Sequence, residues 1–385
     1  MTLPLLAHEQ THVLDHIRSW LDLDWHPSRS HALTGGMSGA ALARLSVKWQ
    51  GSAQALAHEL PELAAVVGST VVKINSWPSL VRAQAAFQAI PSDYQHYFAR
   101  IISGPHALAA PQQGYLLIED LTDYLTLHDS LCTQNAAFAQ AATEQLIAFL
   151  RRLYQMPPLT PTGDGTEPNR LETLYLCPIE EALAVLQPHG PYLLDFEQDY
   201  ATLCAQIARL RQSNLYRQPI PYSAMHGDLH LRNIMLKEIR PETGDIDFRL
   251  IDLDHFIRAG DLAYDLGELR TDIEIRHTDG ELPDIVCPLH QMVTSALTED
   301  AMARGDALFS ARVALGQSRS LLKLTAVDVT QMVTRLALPP IDDASNAPIL
   351  IQTQLAQVQK YLAEALTLAD QAEPLEATTD SQAVA

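Results

Sequence analysis

The chain of 385 residues carries 26 Lys and Arg against 46 Asp and Glu, a formal charge of −20, and 47% of its residues are hydrophobic. That acid excess argues against a nucleic-acid partner, because neutralising phosphates requires a basic stripe and repulsion of a polyanion operates within the roughly 8 Å Debye length of physiological salt. The composition is that of a folded chain, and its length suits two or three domains, or two lobes sharing a cleft.

Taken in chain order, the first residues show no basic leader ahead of an apolar run, and no window approaches about 18 uninterrupted apolar residues, so neither export nor membrane insertion is expected. Residues 8–25 read as an amphipathic helix. Three β-like runs follow, SHALTGG, AALARLSVKW and STVVKIN, and then two more, FARIIS and YLLIEDL, with a helix predicted over Ser79 to Ile90. The stretch from Gly51 to Gly68 does not alternate and reads as an insertion between the second and third strands. After Asp120 the pattern turns helical. Phe138, Ala142, Leu146, Phe149, Leu150 and Leu153 form one apolar stripe, and Leu193, Phe196, Tyr200, Leu203, Ile207 and Leu210 form another beyond a Pro/Gly/Thr-rich loop. Two short β-like runs, NIMLKEI and DFRLIDLD, flank the turn-rich PETGD. Further helices close the chain, the last marked by Ile351, Leu355, Val358, Leu362, Leu366 and Ala369, before a polar tail from Glu373 that reads as disordered. Cys132, Cys177, Cys204 and Cys287 are scattered without a C-x-x-C pair, which disfavours a zinc site or a disulfide scaffold and fits a reducing cytoplasm.

The chemistry concentrates in HGDLHLRN, residues 226–233, and in Asp252 and Asp254 at the end of a β-like run. Hard Mg²⁺ takes a few carboxylate or amide oxygens from the protein and leaves the rest of its shell to water and phosphates, which Asn233 and Asp252 suit. Asp228 is then available to orient a substrate hydroxyl and accept its proton. A phosphate donor also needs a cradle. Gly35, Gly36, Ser38 and Gly39 lie in a turn between two strands, and Lys73 sits inside the apolar run VVKI, where a cation is costly without an anion beside it.

These motifs resemble the aminoglycoside phosphotransferase and choline kinase group, relatives of the protein kinases. The group's H-G-D-x-H-x-x-N pattern, its strand ending in I-D and its G-D-x-x-x-D appear as HGDLHLRN, as Ile251-Asp252, and as Gly260-Asp261 with Asp265. The resemblance covers about residues 30 to 268. It implies a two-lobed, protein-kinase-like α+β fold with a small antiparallel-sheet N-terminal lobe over 1–120, a larger helical C-terminal lobe over 121–372 and a tail over 373–385. It further implies transfer of the γ-phosphate of ATP or GTP, with Mg²⁺, to a hydroxyl of a small acceptor such as an aminoglycoside or choline. Asp228 would be catalytic and Asn233 and Asp252 would hold the metal. Lys73 and the glycine loop would hold the phosphates, backbone at Glu119 and Leu121 the base edge, and Met235 the base's lower face. Asp261 and Asp265 would brace the catalytic loop, and Asp254 would stand behind the metal.

Three departures from the pattern stand out. The helix after Lys73 lacks the usual glutamate partner, for which Gln84, Glu59 or Glu62 are the substitutes to hand; residues 51–68 lengthen the approach to Lys73; and Arg240 to Asp247 extends a hairpin. Two rival readings remain. The missing glutamate allows a nucleotide-binding pseudokinase, the GGMSGA loop with VVKI also resembles kinase-like signalling or conflict modules, and His226, Asp228, His230, Asp252 and Asp254 together allow a metal-dependent hydrolase. The acid excess suggests a cationic acceptor.

Overall fold

A computed structural model describes residues 31–33, 41–47, 68–108, 112–133, 136–157, 169–193, 195–240, 245–284, 286–336 and 347–372. They fall into two compact units. One comprises the chain up to Thr133 together with Arg232–Ile257, and the other comprises residues 134–231 and the chain from Arg258 onward. The leading helix expected at 8–25, the glycine loop at 35–39, nearly all of the 51–68 insertion and the tail from 373 lie outside the described residues.

The first unit is built on a five-stranded antiparallel sheet. Its strands are β1 (His31–Leu33), β2 (Ala41–Val47), β3 (Gly68–Ser76), β4 (Ile101–Ala107) and β5 (Gln113–Glu119), in the order β1-β2-β3-β5-β4. The central strand β3 is buried at Val71, Val72, Lys73 and Ile74 alike, which is why its sequence reads as a continuous apolar run interrupted by one cation. Register places Lys73 opposite Leu42 on one neighbour and Leu116 on the other. The strand expected at 98–103 starts instead at Ile101. Phe98 is drawn away, because Ala99 N–H and Leu250 N–H both make 2.8 Å backbone bonds there and the Phe98 ring packs edge-on against Phe256.

Helix α1 (Trp77–Ala89) follows β3 directly, with a proline in its first turn where the missing N–H costs nothing. Its Leu80 and Ala83 join Leu116 in a small core against the sheet. After the single turn α2 (Ser92–Gln95), strand β6 (Leu125–Thr126) and helix α3 (Leu127–Thr133) complete this part. A second sheet of the unit, in the order β6-β8-β9, takes β8 (Ile234–Arg240) and β9 (Asp245–Leu250) from the later segment.

The second unit is mainly helical. It contains α4 (Ala136–Gln155), α5 (Cys177–Leu186), α6 (Phe196–Leu210), the turn α7 (Asn214–Arg217), α8 (Leu262–Thr278), α9 (Val286–Ala303), α10 (Phe309–Leu336) and α11 (Ala347–Gln371). A two-stranded sheet, β7 (Ser223–Met225) with β10 (Ile257–Gly260), lies beside them. The apolar stripes read from the sequence become its core. Ile351, Leu355, Val358, Leu362 and Leu366 of α11 are all buried against α6 and α10, and each such side chain contributes roughly 2 kcal/mol relative to exposure. Small antiparallel sheets and a larger helical part are thus both present. No helix among the described residues is long and apolar enough to cross a membrane.

Candidate functional site

In the first unit the geometry centres on Lys73, only 7% exposed. Its ammonium donates to Asp252 Oδ1 at 2.7 Å and to Asp254 Oδ1 at 2.8 Å. Burial by itself would lower the Lys73 pKa, but the two carboxylates outweigh it and raise the value above the ordinary 10.5. Asp254 is anchored in turn by α1 and the strand before it, because its Oδ2 accepts from the Ser79 hydroxyl and, at 3.4 Å, from Asn75 Nδ2. The glutamate missing from the helix therefore has a replacement. Asp254 comes from the turn after β9 and occupies the role, whereas Gln84 makes no bond to Lys73 and Glu59 and Glu62 lie outside the described residues.

Asn233 and Asp252 are brought together by the β8–β9 hairpin, whose ladder ends with Ile251 N–H donating to Asn233 C=O at 3.1 Å. Asp252 adopts the left-handed backbone conformation, φ 65°, which is uncommon for a residue with a side chain and is found at sites where geometry is over-determined. The two carboxylates and one ammonium of this cluster leave a net negative charge. Together with the amide oxygen of the 6%-exposed Asn233, that is a hard-oxygen donor set suited to Mg²⁺. Met235 lies half-buried in β8, paired with Thr126 and Arg249 on its two sides. Glu119 closes β5, its N–H donating to Arg100 C=O at 2.9 Å, and the Leu121 carbonyl just beyond accepts from Tyr124 N–H. Gly35, Gly36, Ser38 and Gly39 lie outside the described residues.

In the second unit Asp228 sits on the loop after β7. His230 Nε2 lies 3.7 Å from one of its oxygens and Lys323 Nζ 3.4 Å from the other. Burial would raise its pKa, yet nearby His230 and the charges of Lys323 and His226 hold the carboxyl well below the usual range. These surroundings favour the carboxylate form of Asp228. Such a group aligns a hydroxyl and accepts its proton late, when the oxygen's own charge has developed.

The loop is suspended from one face of α8. Asp265 accepts from His226 N–H at 2.6 Å and Gly227 N–H at 2.8 Å, Glu268 from Leu229 N–H at 3.0 Å, and Asp272 from Leu231 N–H at 2.9 Å. Three acids at i, i+3 and i+7 share a helical face, so a straight α8 presents a row of acceptors to successive loop amides. Gly227 takes φ 81°, a conformation that glycine adopts without strain. Asp261 caps α8 through Ala263 N–H and also receives Tyr175 OH and Arg312 Nε, both at 2.7 Å. The bracing expected of Asp265 is therefore seen, whereas Asp261 holds the start of α8 and makes its bonds to Tyr175 and Arg312. Glu268 and Asp272 were not singled out from the sequence, although they continue the helical spacing of Asp265. Lys323, Asn75 and Ser79 carried no local signal at all.

Comparisons with known proteins agree with these motifs. A family model described as "Phosphotransferase enzyme family" matches residues 94–286, half of the chain. Among solved structures, a thermostable mutant of the aminoglycoside phosphotransferase APH(4)-Ia, in ternary complex with AMP-PNP and hygromycin B, is 12% identical with a TM-score of 0.50, covering 91% of this chain and 98% of that one. A protein from Ralstonia eutropha JMP134, provisionally named an aminoglycoside phosphotransferase, is also 12% identical, with TM-score 0.51 and coverage of 91% and 98%. A choline/ethanolamine kinase family protein from Mesorhizobium loti is 14% identical, with TM-score 0.47 and coverage of 91% and 99%. For the two phosphotransferase structures, at these identities, the likeness is one of fold. No curated protein sequence matches the chain.

Proposed function

The chain belongs to the phosphotransferase enzyme family, and from that membership we propose that it transfers the γ-phosphate of ATP or GTP to a hydroxyl of a small molecule with the help of Mg²⁺. The observation that carries this reading is the Lys73–Asp252–Asp254 cluster, a buried cation held ready between two acids on the sheet unit. Lys73 would meet the donor's phosphates, exchanging part of its contact with Asp252 for theirs, while Asp254 keeps it in place. Asn233 and Asp252 would hold Mg²⁺, which when bound neutralises phosphate charge as transfer proceeds. The backbone at Glu119 and Leu121 would bind the base edge, Met235 would pack under the base, and the loop at Gly35, Gly36, Ser38 and Gly39 would cover the phosphates. A nucleotide analogue in the APH(4)-Ia complex supports the choice of donor.

Asp228, kept charged by its surroundings, would align the acceptor hydroxyl and take its proton. Positioning and electrostatics supply most of the acceleration in this chemistry. The pseudokinase reading loses its motive, since it rested on the absent helix glutamate and Asp254 now supplies that anion. The hydrolase reading has no comparable support, because it gives the buried Lys73 no role. The test is acceptor-stimulated ADP or GDP formation by the wild type and by Asp228→Asn. The variant should lose at least ~100-fold in turnover, the scale of a removed general base, and equal turnover would overturn the assignment.

A further inference from the structure

The helical unit contains a cavity of about 470 Å³ between α5 and α10. That volume lies within the range of small-molecule sites. Ala182, Val185 and Ala326 give it apolar walls, and Glu181, Arg319 and Lys323 give it charge. Arg319 and Lys323 are one helical turn apart on α10, and Lys323 lies 3.4 Å from Asp228, so the cavity adjoins the carboxylate assigned above to the acceptor hydroxyl.

Arg319 is the informative residue. Its guanidinium stacks over the Tyr264 ring at 4.2 Å, its Nε is shielded from solvent, and among the described residues it has neither a hydrogen-bond acceptor nor a carboxylate in ion-pair contact. Burial pulls its pKa down to about 10 despite the more distant charges of Tyr175, Asp228 and Glu181. Arg312 on the same helix shows what satisfaction looks like, with two bonds to Asp306 at 2.9 and 2.7 Å and one to Asp261. A guanidinium with one buried, unpartnered nitrogen on a cavity wall is poised to meet an oxyanion, and its planar geometry matches carboxylate and phosphate oxygens. A polycationic acceptor would instead bring its ammonium groups against both Arg319 and Lys323.

We propose that the α5–α10 cavity is the acceptor site and that Arg319 there receives an anionic group, a carboxylate or a phosphate, carried by the hydroxylated substrate. This rests on the reading of Asp228 given above, and it reverses the cationic acceptor suggested by the overall charge. The test uses matched probes on the full chain: hydroxy acids, sugar phosphates, the corresponding neutral polyols, choline and an aminoglycoside. Calorimetric binding and nucleotide-dependent transfer are measured for each. One or more anionic probes should bind and be phosphorylated, the carboxylate and phosphate arms showing which oxyanion is read. Arg319→Met should weaken that probe at least ~10-fold, the scale of a lost charge-assisted hydrogen bond, raising KM more than it lowers kcat. Arg319→Lys should restore part of the loss, and melting curves confirm that both variants fold. Preferential binding of neutral or cationic probes, failure of every anion to bind, or an unchanged affinity in folded Arg319→Met would overturn the proposal. Anion binding that depends on Arg319 without any transfer would overturn the phosphotransfer reading and leave the anion site standing.

Discussion

Asp254 shows how one residue can meet a requirement that a pattern places elsewhere. A buried ammonium on a central strand needs an anion, and the helix that follows offers only Ser79 and, from the strand end, Asn75 as neutral groups; those two hold Asp254, and Asp254 holds Lys73. Removing one partner of a buried pair exposes the desolvation cost of the other. Asp254→Ala should therefore lower unfolding stability toward the lower end of the ~3–5 kcal/mol typical of such losses, because Asp252 remains beside the lysine. Asp254→Asn keeps an acceptor for Ser79 and separates the charge from the hydrogen bonds. Urea denaturation of both variants measures the difference, and an Asp254→Ala protein as stable as the wild type would remove Asp254 as the lysine's anchor.

At the scale of elements, α8 organises the HGDLHLRN loop and α10 the cavity beside it. The two helices approach closely at Gly267 and Gly316. A Cβ at position 267 would lie 2.5 Å from the Val313 carbonyl oxygen, so the contact is backbone to backbone. Two of the acids on the loop-facing side of α8, Asp265 and Glu268, are buried, and this has a consequence for pH. Burial pushes Asp265 up to about 7, with Asp261 and Asp228 adding to it against the two amide bonds that pull it down, and Glu268 is raised in the same direction, first by burial. A carboxyl whose folded pKa exceeds its unfolded value binds a proton on folding, so stability falls as pH rises through that window. The melting temperature should thus rise as pH is lowered from 8 toward 6, and Asp265→Asn should flatten that slope. A slope identical in the variant would show that Asp265 is already ionised and is not the source.

Across the whole molecule, the charge of −20 does not describe the sites locally. The sheet unit concentrates two acids on one lysine, whereas the cavity of the helical unit presents an arginine and a lysine against one glutamate, so net charge is a weak guide to the ligand of either. Binding of donor and metal should stabilise the folded protein by mass action, about 2.7 kcal/mol at a ligand concentration 100 times Kd. Mg²⁺ with ATP or GTP is expected to raise the thermal midpoint, and excess chelator to remove the metal-dependent part. Asp252→Asn should abolish that part as well. A shift insensitive to both chelator and variant would exclude Asp252 as a metal ligand.

The sequence by itself determined most of the strands, though not the short β6, β7 and β10, together with the helical stripes and the ordered motif set, because apolar periodicity and the spacing of HGDLHLRN, Ile251-Asp252 and Gly260-Asp261 with Asp265 are local properties of the chain. It also located Lys73, since a cation within an apolar run is anomalous wherever the strand lies. Only the tertiary structure decided that Lys73 pairs with Asp254, that residues 232–257 fall in one unit with the sheet, and that Arg319 on a cavity wall has no hydrogen-bond or ion-pair partner among the described residues. Each of these joins residues far apart in the chain, and no periodicity records such a pairing. Whether a buried charge is satisfied depends on what folding brings beside it, and that is settled only by packing.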